Sequence, residues 1–463
     1  MNNTVLNRGS TPLRTVMLLS APAILEQILL SLAGYVDTAM LGFYGVGATA
    51  AVAVSASTMW LVGGLMSATG VGFAFLVARN IGAGKPDVAQ SAVKHAIACG
   101  GLLGLTLSLL AFTLAPHLPA WLNAAEDVRP NASVYLRIGG SAMLFQTFGA
   151  VFSSVIRASG NMRVPMRINM AANAVNVVGN FFLIFETRKL SLFGYEFWVY
   201  GAGLGVKGAA IATALCHVTA ATFMGIYLLR GNSIIRVRFQ KAFRFDRSLL
   251  RDAFKIALPA AMERTFMSLG QVCMTAMVTN LGTVQLAAHH LAITAESLSY
   301  LPAYGVSTCA STLIGQALGA KREDRAESFG RLIARIGFGI MAIGGIVLFT
   351  CADPLIRLFS NDPAVIEEGI RVLRIVAFVE PFFGLSIVLS GALNGAGDAK
   401  TVFLIDAFSM WGIRLGTSWF LAYPMGLGLR GAWFGMAADL FVRGILFYLR
   451  FRSGKWKRAW KGA

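Results

Sequence analysis

The sequence predicts an all-α polytopic membrane protein, with twelve transmembrane helices in two six-helix lobes related by a pseudo-twofold axis along the membrane normal. Composition, the spacing of apolar segments and an internal repeat lead to this fold class. Of the 463 residues, 56% are hydrophobic and only 13% are charged, whereas a soluble domain carries roughly 25% charged residues. The chain has too little polar surface to cover a globule in water, so a bilayer is the solvent that fits it.

Twelve segments are long and apolar enough to cross a bilayer, which requires about 20 mostly apolar residues each. The first segment contains Glu26 and Asp37 and continues into further apolar segments, so it is predicted as a helix rather than a cleaved signal peptide. The segments are 15–41, 46–75, 90–114, 132–156, 165–185, 203–229, 254–279, 284–313, 328–350, 367–391, 402–422 and 431–450.

The chain repeats itself at an offset of 237 residues, where Pro22 pairs with Pro259 and Glu26 with Glu263. Farther along, the offset falls to 223, which places extra residues of the first half in an extracytoplasmic loop at 186–201. Six crossings per half bring both halves in from the same side, a parallel repeat known from transporters. We predict an N-lobe, a basic cytoplasmic linker, and a C-lobe with a basic cytoplasmic tail, at 1–232, 233–253 and 254–463.

The net charge of +18 follows the membrane topology. Basic residues concentrate after even-numbered segments, at 157–167, 230–255, 321–325 and 450–461, whereas 280–283 after segment 7 has none. This asymmetry is the positive-inside pattern, which puts both termini in the cytoplasm. It favours contact with anionic lipid over binding of nucleic acid.

Asp37 is the first candidate for chemistry, because a charged side chain inside a membrane is costly and needs a partner or a wet cavity. Its counterpart in the other half is Met274, so the carboxylate belongs to the first half alone. Pro22, earlier on the same helix, weakens the helix there. We interpret Asp37 as a proton- or cation-binding group on a bendable helix; the alternative is a helix-end Asp near the headgroups without a transport role.

Four asparagines recur at spacings of 4, 3 and 4 residues in the fifth segment, so they share one helical face. They are Asn169, Asn173, Asn176 and Asn180, and Thr213 in the sixth segment could add a hydroxyl. This face is interpreted as a polar cavity wall that offers carbonyl oxygens to a cation. The alternative is interhelical hydrogen bonding, which Asn also supplies.

Other intramembrane acids are candidates for a substrate cavity or for gating. Glu26 and Glu263 occupy equivalent places after the two prolines, which favours a structural or gating role shared by the lobes. The alternative is that Glu263 binds substrate or a proton in the C-lobe. Glu380 precedes Pro381 and is a second cavity acid. Asp439 and Arg443 are four residues apart on one helix and are expected to pair.

Metal, nucleotide and disulfide chemistry find no support in the motifs. The five cysteines are scattered singly, and His289 and His290 are adjacent, so they point to different helix faces. The GxGxxG string at 203–208 is expected to open a membrane helix and to follow no strand. We expect no metal and no cofactor, with an ion gradient as the source of energy.

Several short motifs, in their order along the chain, resemble those of the multidrug and toxic compound extrusion (MATE) family. They are Val36-Asp37-Thr38, Gly82-Ala83-Gly84-Lys85, Arg157-Ala158-Ser159-Gly160-Asn161, Ala287-Ala288-His289, Gly315-Gln316-Ala317-Leu318-Gly319-Ala320 and Gly391-Ala392-Leu393-Asn394-Gly395-Ala396-Gly397-Asp398. With the two parallel lobes and the long linker, the resemblance covers nearly the whole chain. The spacing from Pro22 to Asp37 is similar to that of the DinF-like branch.

The resemblance implies that helix 1 bends and that its Asp binds the coupling ion. Carried over to this sequence, the cation or proton site consists of Asp37, Asn176, Asn180 and Thr213. Members of the branch often have a second Asp where this chain has Asn180. With one carboxylate fewer, H⁺ on Asp37 is the simpler coupling ion, and Na⁺ is the open alternative.

We therefore predict a secondary active antiporter, not an enzyme, that exports organic, cationic or amphiphilic compounds by alternating access. We expect a small-molecule substrate, contact with membrane lipid, no nucleic acid, a monomer, and a bacterial inner-membrane location. One alternative is a flippase or exporter of lipid-linked or anionic substrates, for which Arg414 is the main candidate residue. An integral membrane enzyme is a remote alternative.

Overall fold

The computed structural model describes residues 11–44, 46–122, 124–192, 195–230, 234–237 and 245–459. Each of the twelve predicted segments falls on one helix or on a run of consecutive helices. The α-helices are α1 Pro12–Tyr44, α2 Val46–Gly82, α3 Pro86–Leu114, α4 Leu118–Trp121, α5 Arg129–Ala158, α6 Arg163–Leu183, α7 Val206–Arg230, α8 Arg247–Thr279, α9 Thr283–Gly319, α10 Glu323–Thr350, α11 Ala352–Arg357, α12 Pro363–Ala377, α13 Glu380–Ala396, α14 Ala399–Ala407, α15 Gly416–Ala422 and α16 Gly428–Arg452. A π-helical segment, Phe408–Leu415, joins α14 to α15, and a 3₁₀ turn, Lys455–Arg458, follows α16.

Seven helices within the described residues are individually long and apolar enough to cross a membrane. They are α1, the Val62–Gly82 part of α2, α3, α5, α7, α10 and α16. Helices α12 and α13 meet the same criterion together, as one span bent by 59°. Pro381 in the first turn of α13 accounts for the bend, because proline has no N–H and clashes with the preceding turn. The other predicted spans, α6, α8, α9 and α14–α15, do not meet this criterion within the described residues.

The internal repeat also appears in the helix boundaries. Helices α2 and α9 begin and end at positions 237 residues apart, and α3 and α10 begin at the same offset. Helix α5 is continuous where α12 and α13 are separate, because Leu144 stands where the second half has Pro381. The halves therefore share one helical plan with a local break in the second.

The predicted loop at 186–201 is a β-hairpin rather than irregular chain. Strand β1 (Glu186–Leu192) pairs antiparallel with β2 (Tyr195–Ala202). The expectation that the GxGxxG string at 203–208 follows no strand is therefore wrong, because β2 ends directly before it. Aromatic and β-branched residues in β2 favour an extended conformation over helix. The Arg188 guanidinium lies 4.2 Å from the Phe185 ring centroid and 4.8 Å from that of Phe181, which fixes the hairpin to the end of α6.

The chain packs as two compact units, and both α1 and α2 contribute to each. The N-unit comprises residues 28–73 and 86–250, and the C-unit comprises 1–27, 74–85 and 251–463. A buried cluster around Leu41, Ile184 and Val206 belongs to the core of the N-unit. A larger one that includes Met274 and Trp433 belongs to the C-unit.

The predicted residue bounds of the two lobes and of the linker stay a prediction. Residues 233 and 238–244 of that linker lie outside the described residues. Helix α8 already begins at Arg247, so the last part of the predicted linker is helical.

The C-terminal ends of α2 and α9 cross within the C-unit at glycines. A Cβ atom added to Gly82 would meet the backbone of Gln316, and one added to Gly319 would meet the backbone carbonyl of Arg79. The two contacts are equivalent under the 237-residue offset. The helix backbones approach so closely here that only glycine fits at 82 and 319.

Candidate functional site

The N-unit brings four polar side chains from three helices into one cluster. Asp37 lies late in α1, Asn176 and Asn180 lie one turn apart on α6, and Thr213 lies early in α7. Asn176 is 3% exposed and Asn180 is fully buried, whereas Asp37 is half-buried. These are the four residues that the sequence predicts as a cation or proton site, and we call them the Asp37 cluster.

Asn180 lies at the centre of the hydrogen bonds in the Asp37 cluster. Its Nδ2 donates to Asp37 Oδ1 at 2.5 Å and to Asn176 Oδ1 at 3.5 Å. Asn176 Nδ2 donates to the Thr213 hydroxyl at 3.4 Å. Within the described residues no Lys, Arg or His forms an ion pair with Asp37. The carboxylate therefore has amide neighbours but no balancing cation, an arrangement that favours uptake of a proton or metal cation.

The Asn176 amide has two orientations with different consequences. With its nitrogen toward Asp37, it donates to the two carboxylate oxygens at 2.6 and 3.2 Å. With its oxygen in that position, acceptors face each other, and only a proton or a cation between them relieves the repulsion. The first orientation fits an ionised Asp37 without a bound ion. The second fits an Asp37 that has bound a proton or a cation.

Small residues allow α6 and α7 to form this cluster. A Cβ atom on Gly179 would lie 3.0 Å from the Ala212 side chain, and one on Gly208 would meet the backbone carbonyl of Leu183. The close approach of the helices places Thr213, which follows Ala212, opposite Asn176. The spacing of the asparagines thus sets the polar face of α6, and the contacts at Gly179 and Gly208 set the distance to α7.

Asn173 extends the polar face of α6 by one turn without joining the Asp37 cluster directly. Its Oδ1 accepts a weak hydrogen bond from Cys216 Sγ at 3.7 Å. Its Nδ2 is buried and has no hydrogen-bond partner in the described part of the chain. This unused donor is available to a bound group.

Tyr135 on α5 is a member of the site that the sequence analysis missed. Its hydroxyl lies near Thr213 and Asp37, and both residues act on it electrostatically. The repeat holds a signal that could have found it, because the equivalent position in the second half is Val372. A polar residue present in only one half is the same pattern that singles out Asp37.

The other four candidates belong to the C-unit. Pro22 lies inside α1, which continues through it, and Glu26 is buried one turn later. Glu263 is half-buried on α8. Glu380 is fully buried; its Oε2 accepts a hydrogen bond from Ser299 at 2.5 Å, and its Oε1 has no partner among the described residues.

The pairing predicted for Asp439 and Arg443 is confirmed. Arg443 Nη2 lies 2.7 Å from Asp439 Oδ2, and Arg414 Nε lies 2.7 Å from the same oxygen. Arg443 also lies 3.6 Å from Asp406. Arg414, the residue considered for an anionic substrate, is therefore already held by a buried carboxylate.

Two stretches of the chain, residues 22–182 and 259–420, match the model of the MatE family. The two matches begin 237 residues apart, which is the offset of the internal repeat. Together they cover well over half of the chain, so the match shows the family.

Curated relatives extend over almost the whole chain. A probable multidrug resistance protein NorM of Thermotoga maritima is 28% identical over 447 residues, which cover 95% of this chain and 92% of the relative. The multidrug resistance protein NorM of Burkholderia vietnamiensis is 26% identical over 442 residues, covering 94% and 92% of the two chains.

Solved structures share the fold. The crystal structure of a MATE in complex with MaD3S has a TM-score of 0.89 at 21% identity and covers 97% of both chains. The outward-facing conformation of a multidrug resistance MATE family transporter of the MOP superfamily has a TM-score of 0.88 at 21% identity and covers 96% of this chain and 97% of that one. These matches confirm the predicted all-α architecture of twelve helices in two lobes; the DinF-like branch stays a prediction. The chain is a multi-pass membrane transporter of the MatE family, not an enzyme.

Proposed function

We propose that this chain is a secondary active antiporter that exports organic, cationic or amphiphilic compounds in exchange for protons or Na⁺. The observation that carries the proposal is the Asp37 carboxylate, which is surrounded by amides and has no ion-pair partner within the described residues. The relatives named as multidrug resistance proteins support multidrug export.

The transport cycle uses the charge of Asp37 as its switch. An ion that enters from outside binds the carboxylate, and the Asn176 amide turns its oxygen toward the bound ion. Helix α1 bends at Pro22, where the missing N–H weakens the helix, and the substrate cavity shrinks. Relatives solved as a MATE in the bent and in the straight conformation support a cycle with two shapes.

We propose H⁺ as the coupling ion. The Asp37 cluster has one carboxylate, and a single protonation removes its charge completely. Na⁺ is the alternative and would use the carboxylate, the two amide oxygens and the Thr213 hydroxyl as ligands, since hard cations prefer oxygen.

The remaining properties are part of the same proposal. We propose a monomer in a bacterial inner membrane, with both termini in the cytoplasm, basic loops against anionic lipid, and no cofactor besides the coupling ion. In the described part of the chain no group of three or more His, Cys, Asp and Glu could hold a metal ion.

The test uses purified protein in vesicles, a fluorescent organic cation and an imposed pH or Na⁺ gradient. Wild type should transport the cation when a pH gradient is imposed, and Asp37→Asn should fall to the level of protein-free vesicles, because an amide does not take up the proton. Asp127→Asn, an exposed Asp of the same half, should match wild type. Normal transport by Asp37→Asn would contradict the proposal, and transport driven only by Na⁺ would overturn the choice of H⁺.

Export of anionic or lipid-linked compounds is a second candidate, favoured by one observation. Arg264, in the middle of α8, has no ion pair or hydrogen bond within the described residues. A solved relative from Pyrococcus furiosus is described in the words "reverse polarity of binding pocket suggests different function". Vesicle transport of an organic anion that does not compete with organic cations would support this candidate.

A further inference from the structure

The charged side chains of the C-unit fall into a paired set and an unpaired remainder. Arg414, Asp439, Arg443 and Asp406 form a buried chain of ion pairs with two charges of each sign. Ser409 also donates to Asp439. This chain is electrically neutral and has little capacity to bind another charged group.

Glu263 and Arg264 lie outside this chain of ion pairs. Glu263 is the middle residue of α8, and Arg264 follows it, one turn beyond Pro259. Neither side chain makes a hydrogen bond or an ion pair within 4.0 Å among the described residues. A guanidinium carries five N–H donors, so Arg264 is left with its full capacity to bind.

An arginine half-way along a membrane helix faces the bundle interior or a wet cavity, because contact with lipid tails there is too costly. Arg264 is exposed rather than enclosed by neighbouring side chains. The groups that act on it electrostatically are Glu263 beside it, Tyr304 of α9 and Asp406 of α14. It therefore faces polar groups on neighbouring helices while it remains open to a bound molecule.

The internal repeat shows that this cation is not required by the shared scaffold. Glu263 has Glu26 as its equivalent, whereas Arg264 has the neutral Gln27. Asp37 shows the opposite asymmetry, with Met274 in the second half. Asp37 and Arg264 are thus charged residues that one half has and the equivalent position of the other half lacks.

We propose that Arg264 binds an oxyanion, such as a carboxylate or a phosphate, on an amphiphilic substrate. The inference rests on the proposed transport function and specifies its substrate class: molecules that carry an anionic group beside an apolar or cationic body. Arg suits this role because its planar fork donates two parallel hydrogen bonds to such a group. Drug-like carboxylates and anionic lipid headgroups present the same chemistry.

Binding of two matched rhodamines to the purified full chain tests the assignment. One dye has a free carboxylate (rhodamine 110) and the other is its methyl ester (rhodamine 123). Arg264→Gln, which introduces the residue of the other half, should weaken binding of the carboxylate dye at least about tenfold, the loss expected for a charged hydrogen bond. Binding of the ester should change less than twofold. Arg264→Lys should recover part of the loss, and Arg251→Gln, an exposed arginine of the same helix, should behave as wild type.

The assignment would be overturned if Arg264→Gln weakened binding of both dyes equally. It would also be overturned if wild type showed no preference for the carboxylate dye that is lost in Arg264→Gln. Unchanged ester binding also shows that the variant is folded. Nanodiscs with phosphatidylglycerol in place of phosphatidylcholine identify the source of the anion. If phosphatidylglycerol competes with the carboxylate dye in wild type but not in Arg264→Gln, the site binds a lipid headgroup. If the lipid does not compete, the site binds the soluble amphiphile.

Failure of the proposed function gives a different result from failure of this inference. Gradient-driven uptake of the ester by wild-type vesicles tests antiport without the carboxylate. If that uptake is absent while binding still depends on Arg264, the antiport proposal fails and the oxyanion site stands. If uptake is normal and Arg264→Gln has no selective effect, only the oxyanion site fails.

Discussion

Asp37 shows how much a single membrane carboxylate depends on its amide neighbours. Asn180 donates to it at 2.5 Å and stabilises the charged form, whereas the buried Asn180 Oδ1 has no partner among the described residues. Asn180 therefore donates to the Asp37 carboxylate when no ion is bound, and its Oδ1 can accept from or coordinate an incoming ion. Sequence periodicity predicted Asn176 and Asn180, because residues four apart on a helix share a face.

Asn180→Asp should shift the coupling preference toward Na⁺. Two adjacent carboxylates repel each other unless a cation lies between them or they share a proton, and the added oxygen charge favours a hard cation. Transport driven by a Na⁺ gradient at fixed pH should increase relative to wild type. Asn173→Asp, on the same face without a hydrogen bond to Asp37, is the control. A variant that gains no Na⁺ dependence would contradict the role of Asn180.

Tyr135 marks the limit of prediction from local spacing. It approaches the Asp37 cluster from α5, a helix that no periodicity links to α1 or α6. Arg264 could not be singled out from the sequence either, because the spacing that predicts the pair of Arg443 with Asp439 gives no sign that Arg414 is paired and Arg264 is not. Which charges remain available is decided by long-range contacts.

At the level of single elements, the second half departs from the helical plan of the first at two places. Pro381 breaks the span that is continuous in α5. The π-helical segment Phe408–Leu415 brings Ser409 and Arg414, five residues apart, toward the same carboxylate of Asp439. In a π-helix residues five apart are hydrogen-bonded and lie on one side, whereas an α-helix would separate them. The sequence predicts a helix here but not its local winding.

Gly319→Ala should destabilise the protein by about 1–3 kcal/mol, the usual cost of forcing an extra carbon into a close contact. The added Cβ meets the backbone carbonyl of Arg79, which has no flexible end to move aside. Gly339→Ala is the matched control, because nothing lies within 4 Å of its added Cβ. Alanine is preferred over glycine inside a helix by about 1 kcal/mol, so the control should be neutral or more stable.

Thermal unfolding in detergent compares the two variants. A lower midpoint for Gly319→Ala than for Gly339→Ala is the expected result. Equal midpoints would mean that the crossing of α2 and α9 has room for a side chain.

At the scale of the whole molecule, the distribution of charge predicts the orientation in the membrane. The stretch 450–461 after α16 is rich in Lys and Arg, so the positive-inside rule predicts a cytoplasmic C-terminus. The hairpin at 186–201 follows the fifth predicted span, so we predict that it lies on the opposite side.

Reporter fusions check this orientation in cells. Green fluorescent protein at the C-terminus should fluoresce, and alkaline phosphatase at that position should be inactive, because this enzyme requires the oxidising outer compartment. Phosphatase inserted between β1 and β2 should be active. The reverse pattern would show that the chain enters the membrane with the opposite orientation.

The sequence alone determined that the protein lies in a membrane, how many spans it has, that its two halves are related, and which face of α6 is polar. These features follow from hydrophobicity, charge bias and helical period, which are local or additive properties. Tertiary structure decided which polar groups from different helices meet: Tyr135 with the Asp37 cluster, Asp37 with Asn180, and Arg414 with Asp439. It also decided that Arg264 stays unpaired among the described residues. These outcomes depend on the distance between helices, which glycine contacts and packing set and no local pattern encodes.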